Sequence, residues 1–327
     1  MDEKRLLEVR DLKVHFFTDD GVVKAVDGVS FHVDKGETLA VVGESGSGKS
    51  VTALSIMRIL PEPAGRIVGG STLFRGQELT TLPEKGMRKI RGEKIAMVYQ
   101  EPMTALNPAF TVGDQLGEVF RFHQRLKKKE ALDRAIDLLR RVGIPSPGSR
   151  VRDYPHQLSG GMRQRAVIAM AMACNPEVLI ADEPVTALDV TIQAQILDLM
   201  RDLQRDFGSS IIIITHNLGV VSQMTDYVTV MYLGKIVKYA PVQALFHSPL
   251  HPYTEGLLNS VPVLGRKGQK VLVPIEGMVP TPTQEIPGCA FAPRCPKAMD
   301  ICTTRQPALL EQAPEHLVAC WLHAPTS

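Results

Sequence analysis

The sequence predicts an α/β protein with a mostly parallel sheet, followed by a loop-rich tail. Short β-branched runs, nearly all apolar, recur over residues 1 to about 240, as strands buried on both faces require. Helix-like stretches alternate with them, which is the pattern of α/β folds. Thirteen of the 23 prolines and four of the five cysteines fall in the last 87 residues. Proline removes backbone donors and breaks helices, so that tail needs more than apolar burial to hold it.

The strands are expected at Thr38 to Val42, Lys94 to Tyr99, Glu177 to Ala181, Ser210 to Thr215 and Tyr227 to Tyr232. Helices are expected at Lys49 to Leu60, Lys128 to Val142, Gly161 to Cys174 and Thr191 to Phe207. Between Pro102 and about Arg165 strand signals are sparse, so a helical insertion is expected there. No internal repeat is visible.

Composition removes several functional classes. The chain has 327 residues, enough for one large or two ordinary domains, and 44% of them are hydrophobic, as in a soluble globular protein. With 37 basic and 35 acidic residues the net charge is +2, giving no reason to expect nucleic acid as the main partner. The longest apolar stretches, Ala166 to Cys174 and Ile211 to Ile214, are far too short to cross a bilayer. The start, Met1-Asp2-Glu3-Lys4-Arg5, is charged and has no apolar signal segment, so a cytoplasmic chain with reduced thiols is expected. A membrane role must then come through a partner.

The strand Thr38 to Val42 runs into Gly43-Glu44-Ser45-Gly46-Ser47-Gly48-Lys49-Ser50, which fits G-x-x-x-x-G-K-[ST]. Glycines let the backbone wrap around phosphates with its amides inward, and the following helix, through Val51, adds its positive end. Lys49 is placed to contact the β- and γ-phosphates, and Ser50 to coordinate Mg²⁺. A buried strand before and a helix after supply the required context. This is a nucleotide site.

Val178 to Ala181 is an apolar strand that ends in Asp182-Glu183. Strand tips are where α/β sheets present ligand groups. Asp182 suits Mg²⁺ through water, and Glu183 suits polarising the water that attacks the γ-phosphate. Alone, such a pair can equally signal a helix start. The strand Ser210 to Thr215 ends in His216, a candidate donor to the γ-phosphate.

Between these sites lies Tyr154-Pro155-His156-Gln157-Leu158-Ser159-Gly160-Gly161-Met162-Arg163-Gln164-Arg165. Ser159 with Gly160 and Gly161 starts an apolar helix and makes a second small-residue helix N-terminus. Physics alone does not say whose phosphate it binds. The phosphate loop, this signature 110 residues after Lys49, Asp182-Glu183, Ala187-Leu188-Asp189 and His216 resemble the ATPase subunits of ABC transporters. The likeness in order and spacing covers residues 8 to about 240.

That resemblance implies a P-loop NTPase (RecA-like) core with an ABC-type β-subdomain and a helical insertion at about 102–165, within a nucleotide-binding domain spanning 1–260. It implies a sandwich dimer binding two ATPs, with Ser159, Gly160 and Gly161 acting in trans on the partner's γ-phosphate and Asp189 coupling the sites. By the same resemblance Gln100 touches Mg²⁺ and senses the membrane partner. Phe16 corresponds to the aromatic that stacks on adenine, although Phe17 is adjacent and either ring could be core.

Further segments resemble bacterial oligopeptide and dipeptide importer ATPases. These are Gln100 through Pro108, His251-Pro252-Tyr253-Thr254 with Leu257-Leu258, and Gly288-Cys289 through Pro293-Arg294-Cys295-Pro296. In such importers two ATPase subunits drive two membrane permeases fed by an extracellular peptide-binding protein. The dipeptide type is most similar, and relatives handling nickel or glutathione share many of these features. The expected place is peripheral, on the cytoplasmic face of the cell membrane.

Residues 261–327 form the expected C-terminal extension with a four-cysteine metal site: Cys289, Cys295, Cys302 and Cys320. The spacing lacks the Cys-x-x-Cys of structural zinc and matches no common ferredoxin run. From spacing alone, zinc, an iron–sulfur cluster and unrelated thiols stay open. Resemblance to dipeptide-type relatives implies a [4Fe-4S] cluster, with zinc the alternative and a structural role preferred. Cys174, in an apolar helix, reads as a small core residue.

Three functional classes follow. One is an importer motor in which ATP closes a dimer and re-orients permease helices docked near Gln100. The second is a soluble ABC-type ATPase acting on DNA or ribosomes, which usually carries coiled-coil insertions or two fused halves. The third is a redox protein with a secondary ATPase, against which a complete ATPase motif set argues. The second ATPase subunit is expected to be a different chain. Charged runs such as Lys127-Lys128-Lys129-Glu130 and Arg163-Gln164-Arg165 read as solvated faces or helix ends, with the dimer interface an alternative for Arg165.

Overall fold

The computed structural model describes residues 4–100, 105–186, 188–260, 274–281, 283 and 286–324. Its strands begin with β1 (Arg5–Thr18), β2 (Gly21–Asp34), β3 (Thr38–Val42), β4 (Gly65–Phe74), β5 (Gln77–Glu78) and β6 (Ile95–Val98). They continue with β7 (Val178–Asp182), β8 (Ser210–Thr215), β9 (Tyr227–Tyr232), β10 (Lys235–Pro241), β11 (Leu310–Ala313) and β12 (His316–Val318). Two compact units divide the chain, one of Met1–Val33, Leu39–Thr80 and Thr215–Ser327, the other of Asp34–Thr38 and Thr81–Ile214.

In the first unit β2, β1, β4 and β5 form an antiparallel sheet, in that order. Long β1 and β2 were not legible as strands. They alternate buried and exposed positions instead of running apolar throughout, because only one face is covered. β3 lies parallel to β9, and β9, β10, β12 and β11 continue antiparallel. The cysteine-bearing tail thus joins this unit by strand pairing, Lys238 to Val318 and Tyr239 to Leu317.

All five residues of β3 are buried, as the apolar run requires. Helix α1 (Lys49–Ile56) follows the phosphate loop. It ends four residues before the expected Leu60, because Arg58 takes a positive φ of 51° and proline follows at 61.

In the second unit β6, β7 and β8 pair in parallel, with Val178 opposite Ser210 and Ile95 opposite Val178. β7 and β8 are buried along their whole length. Short helix α2 (Glu84–Ile90) precedes β6. The expected helical insertion is present as α3 (Val112–His123), α4 (Lys128–Arg141) and α5 (Pro147–Arg150). Thr111 caps α3 by accepting from the Asp114 amide.

Helix α6 (Gly160–Met172) packs on α3, α4 and β6. Helix α7 (Val190–Phe207) is capped by Asp189 and ends at Gly208, whose φ of 66° closes it in the left-handed region. Back in the first unit, α8 (Leu218–Met224), α9 (Val242–His247) and α10 (Pro252–Asn259) follow β8 in turn, and α11 (Asp300–Thr304) lies in the tail. Among the described residues no helix is long and apolar enough to cross a membrane.

Candidate functional site

Gly43 to Ser50 wraps around its own lysine. Lys49 Nζ donates to the carbonyl oxygens of Gly43 at 2.8 Å and Glu44 at 2.9 Å. Ser47 N–H closes the turn on the Glu44 carbonyl at 3.2 Å, and Gly234 N–H donates to Ser47 O at 2.9 Å. Lys49 and Ser47 are buried, whereas Ser45 and Gly46 are exposed and Ser50 and Val51 are partly so. The glycines are needed sterically. At Gly48 φ is 100°, and a Cβ there would collide with the Ala25 carbonyl oxygen; at Gly43 it would meet the Met231 carbonyl oxygen.

A cavity of about 440 Å³ opens beside this loop. Phe16, Gly46, Gly48 and Val51 bound it on one part, and Ile286 and Ala290 of the tail on another. Phe16 is half-buried and faces this space, while Phe17 is exposed and lies under the Arg66 guanidinium, 5.4 Å from the ring centre. The structure therefore separates two phenylalanines that adjacent sequence positions could not.

The front of the loop is held by residues for which the sequence offered no role. Glu44 N–H donates to the Tyr253 hydroxyl at 2.8 Å. The Glu44 carboxylate is forked by Arg294, Nη1 to Oε2 at 2.6 Å and Nη2 to Oε1 at 3.2 Å. Tyr253 is buried against Phe291 and Tyr232. His251 N-caps α10 through Nδ1, with Pro252 at the first helical position. The segment His251 to Thr254 stood out in the sequence only as a resemblance; its packing on the loop required the fold. His216 follows β8 as an exposed residue ahead of Asn217, the cap of α8.

The second unit carries the other candidates. Asp182 is the buried tip of β7, and Glu183 follows with a positive φ of 46°. Its Oε2 accepts from Gln100 Nε2 at 3.1 Å and from Thr186 Oγ1 at 2.8 Å. Gln100 and Glu183 are thus brought together from positions 83 apart. The neighbouring residues 101–104 of the peptide-importer segment, and Ala187, lie outside the described residues.

Ser159 caps α6, its hydroxyl accepting from Met162 N–H at 3.3 Å, and the following turn is exposed or half-buried. Gly161 sits close to Ile192, where a Cβ would be 3.0 Å from Cγ2. Asp189 Oδ1 accepts from Ile192 N–H at 3.0 Å, so it anchors the start of α7.

Along α6 the expectations for Gln164 and for Cys174 need correction, while Arg165 is half-buried. Gln164 is buried, not solvated, because the run Arg163 to Arg165 turns one residue into the packed face. Arg165 is tied within its own unit, Nη1 donating to Val142 O at 2.7 Å and Nη2 to Gln195 Oε1 at 3.1 Å. Cys174 is half-buried beyond the end of α6, since Asn175 takes a positive φ and Pro176 follows.

Cys289, Cys295, Cys302 and Cys320 are all free thiols in the first unit. Burial pushes the Cys289 thiol up to about 11, and raises those of Cys295 and Cys320 as well. Each of the six pairs among the four lies close enough for mutual electrostatic influence. Backbone joins two of them, Cys289 N–H donating to Cys302 O at 2.8 Å. Among the described residues no three His, Cys, Asp or Glu side chains stand in an arrangement ready to hold a single metal ion.

Comparison with known proteins places this geometry. Residues 26–186 match the ABC transporter family model, and residues 237–302 match that of the oligopeptide/dipeptide transporter C-terminal region. The chain is 55% identical to the oligopeptide transport ATP-binding protein AppD of Bacillus subtilis (strain 168), over 97% of both chains. It is 52% identical to the dipeptide transport ATP-binding protein DppD of the same strain, covering 98% of this chain and 95% of that one. Among solved structures it is similar to cbiO1 from Clostridium perfringens, part of the ABC transporter complex cbiONQ. That match has a TM-score of 0.63 and 28% identity, and covers 76% of this chain and 92% of the other. The fold also matches the ADP- and Pi-bound dimer of the ATP-binding cassette MJ0796, with a TM-score of 0.65 at 24% identity over 72% of this chain and 99% of the other.

Proposed function

The chain belongs to the ABC transporter ATPases, in the group that carries the oligopeptide/dipeptide transporter C-terminal region, and from that premise we propose that it is the ATP-hydrolysing motor subunit of a peptide importer. What carries this reading is that the similarity to peptide-transport ATP-binding proteins runs through the tail as well as the catalytic segments. Dipeptides or oligopeptides are the cargo; nickel and glutathione are the alternatives that related importers handle.

In the proposed cycle Gly43 to Val51 bind the phosphates of ATP and Phe16 stacks on the adenine. Lys49 neutralises charge on the β- and γ-phosphates. The hydroxyl of Ser50, the amide oxygen of Gln100 and the carboxylate of Asp182 are hard oxygen donors of the kind Mg²⁺ takes, and Asp182 is presented at a buried strand tip. Bound there, Mg²⁺ would offset the phosphate charge. Glu183 positions or deprotonates the attacking water, and His216 donates to the γ-phosphate. Ser159, Gly160 and Gly161 act on the ATP of a second ATPase subunit, a different chain, and Asp189 couples the two sites.

Two membrane permeases and an extracellular peptide-binding protein complete the importer, with this chain peripheral on the cytoplasmic face. Phe110 and Phe122, both exposed, border one cavity with Asn107 and Gln115, an apolar recess suited to a permease helix.

The four tail thiols are read as ligands of a [4Fe-4S] cluster. All four lie near one another, and thiolate sulfur is a ligand that iron–sulfur clusters and zinc both take. Burial holds Cys289, Cys295 and Cys320 as thiols, and a bound cation would favour their thiolates. A cluster would staple the proline-rich tail. Anaerobic purification with iron, sulfide and zinc analysis tests this, and zinc without sulfide overturns it.

The functional reading is tested by uptake of a labelled dipeptide in source cells carrying Glu183→Gln at the chromosomal locus, with nickel and glutathione uptake alongside. Selective loss of dipeptide uptake supports motor and cargo together. Loss of another solute alone changes the cargo. Loss of none removes the importer reading, once redundant systems are deleted.

A further inference from the structure

Arg294 and Glu44 lie 250 residues apart in sequence, one in the cysteine-bearing tail and the other second in the phosphate loop. The fork between them is double, and the Arg294 side chain is only 4% exposed. Its remaining donors are also spoken for, Nε by the Glu276 carbonyl at 3.1 Å and Nη2 by the Ile275 carbonyl at 3.2 Å. The Tyr232 ring lies 5.9 Å from the guanidinium carbon. A planar fork gripped on several sides fixes whatever carboxylate it holds.

A carboxylate is an awkward group in an anion-binding loop. Phosphate oxygens arriving beside an unpaired Glu44 would meet a like charge at short range in a partly desolvated setting. Arg294 cancels that charge and fixes the side chain. Tyr253 holds the same residue's amide, and Lys49 its carbonyl. Glu44 is thereby restrained at side chain, amide and carbonyl before any nucleotide arrives, and two of those restraints come from beyond residue 250. The tail also borders the adjoining cavity with Ile286, Ala290 and Gln306.

We propose that the cysteine-bearing tail is part of its own chain's ATP site, with Arg294 the positioning residue that neutralises and orients Glu44 of the phosphate loop. The tail is then more than an appendage, since its folding sets how well the loop binds ATP. This rests on the ATPase reading above.

The test is equilibrium binding of Mg-ATP to the purified full chain, comparing wild type, Arg294→Ala, Arg294→Lys, Glu44→Gln and the pair Glu44→Gln with Arg294→Ala. Arg294→Ala is expected to weaken ATP binding about tenfold, the scale of one charge-assisted hydrogen-bonded pair, while kcat at saturating ATP changes little. Arg294→Lys, which keeps the charge but not the fork, should fall between. In the Glu44→Gln background the Arg294→Ala loss should largely vanish, because no stranded carboxylate remains.

An Arg294 that merely anchors the tail would give the same loss in both backgrounds, and that result overturns the proposal. So does unchanged affinity in Arg294→Ala. Thermal melting of each variant reads folding separately; should Arg294→Ala unfold, Arg294→Lys against Arg294→Lys with Glu44→Gln supplies the same comparison. A wild-type chain that binds no ATP sinks the ATPase reading itself, whereas wild-type binding with no Arg294 effect sinks only this inference.

Discussion

Gln100 Nε2 donates to Glu183 Oε2 at 3.1 Å, linking the end of one parallel strand to the end of its neighbour. Thr186 Oγ1 donates to the same oxygen at 2.8 Å, and Glu183 itself sits at a φ of 46°. A non-glycine residue in that region costs about 1 kcal/mol or more and persists only where surroundings hold it. The carboxylate is therefore aimed by its neighbours. Glu183→Gln should retain ATP binding and lose turnover by about a hundredfold or more, the usual contribution of a general base. Single-turnover hydrolysis of pre-bound ATP checks this, and undiminished turnover would remove Glu183 from the catalytic role.

Thr186→Val removes one of the two donors without changing shape. Turnover should fall several-fold while ATP affinity holds, since the variant touches the carboxylate and not the phosphate loop. Equal losses in affinity and kcat would show that the threonine shapes the whole site instead.

Phe16 and Phe17 should separate cleanly. Phe16→Ala removes a ring from the cavity beside Gly46 and Gly48 and is expected to weaken ATP binding by about tenfold, the scale of one base-stacking contact. Phe17→Ala loses an exposed ring under Arg66 and should leave affinity within about twofold. Nucleotide titration of both variants decides, and a reversed order would move the adenine to the other ring.

Gly48→Ala places a Cβ against the Ala25 carbonyl oxygen at a φ of 100°. That oxygen belongs to backbone and not to a flexible side-chain end, so the loop must shift. ATP binding should be lost while the melting temperature falls by only a few degrees, in line with a local strain of about 1–3 kcal/mol. Retained affinity would mean that the loop tolerates a different path.

His251 gives the fold an acid-sensitive element. Burial first, then positive charge on His323 and Lys238, pushes its imidazole down to about 3 from an ordinary 6.5. Folded, the ring stays neutral and Nδ1 accepts the Tyr253 amide. The unfolded chain takes up a proton near pH 6.5 and the folded one only near pH 3, so this stabilisation is full above 6.5 and is lost as pH falls across that window. Melting temperature should therefore fall as pH is lowered from about 6.5 towards 3. His251→Asn, whose oxygen can still cap α10, should flatten the slope. An unchanged slope would place the acid sensitivity elsewhere.

Much of this chemistry was legible because it is local. The phosphate loop needs glycines and a lysine at set intervals, and the wholly apolar β3, β7 and β8 carry their burial in their composition. Gln100, Asp182, Glu183 and His216 sit at strand ends, where the pattern changes from apolar to polar. The long strands β1 and β2 carry the alternation of half-covered antiparallel strands in place of apolar runs, and in β1 a register irregularity near Lys13 and a positive φ at Asp11 interrupt it. Lys238 marks a limit of the sequence. It is buried, with its ammonium donating to the carbonyls of Ala244, Ser248 and Pro249, and no pattern in the sequence distinguishes it from a solvated lysine.

By itself the sequence determined the α/β class, the nucleotide loop, the order of the catalytic segments and the presence of a cysteine tail, because each is written in neighbouring residues. Only the tertiary structure decided which phenylalanine faces the cavity beside the phosphate loop, that Glu183 is aimed by Gln100 and Thr186, and that Tyr253 and Arg294 grip that loop. Three of those contacts, Gln100 to Glu183, Tyr253 to Glu44 and Arg294 to Glu44, join positions 83, 209 and 250 residues apart. Their existence depends on chain paths that bring two surfaces within about 3 Å, a distance that hydrogen bonding demands and sequence spacing does not encode.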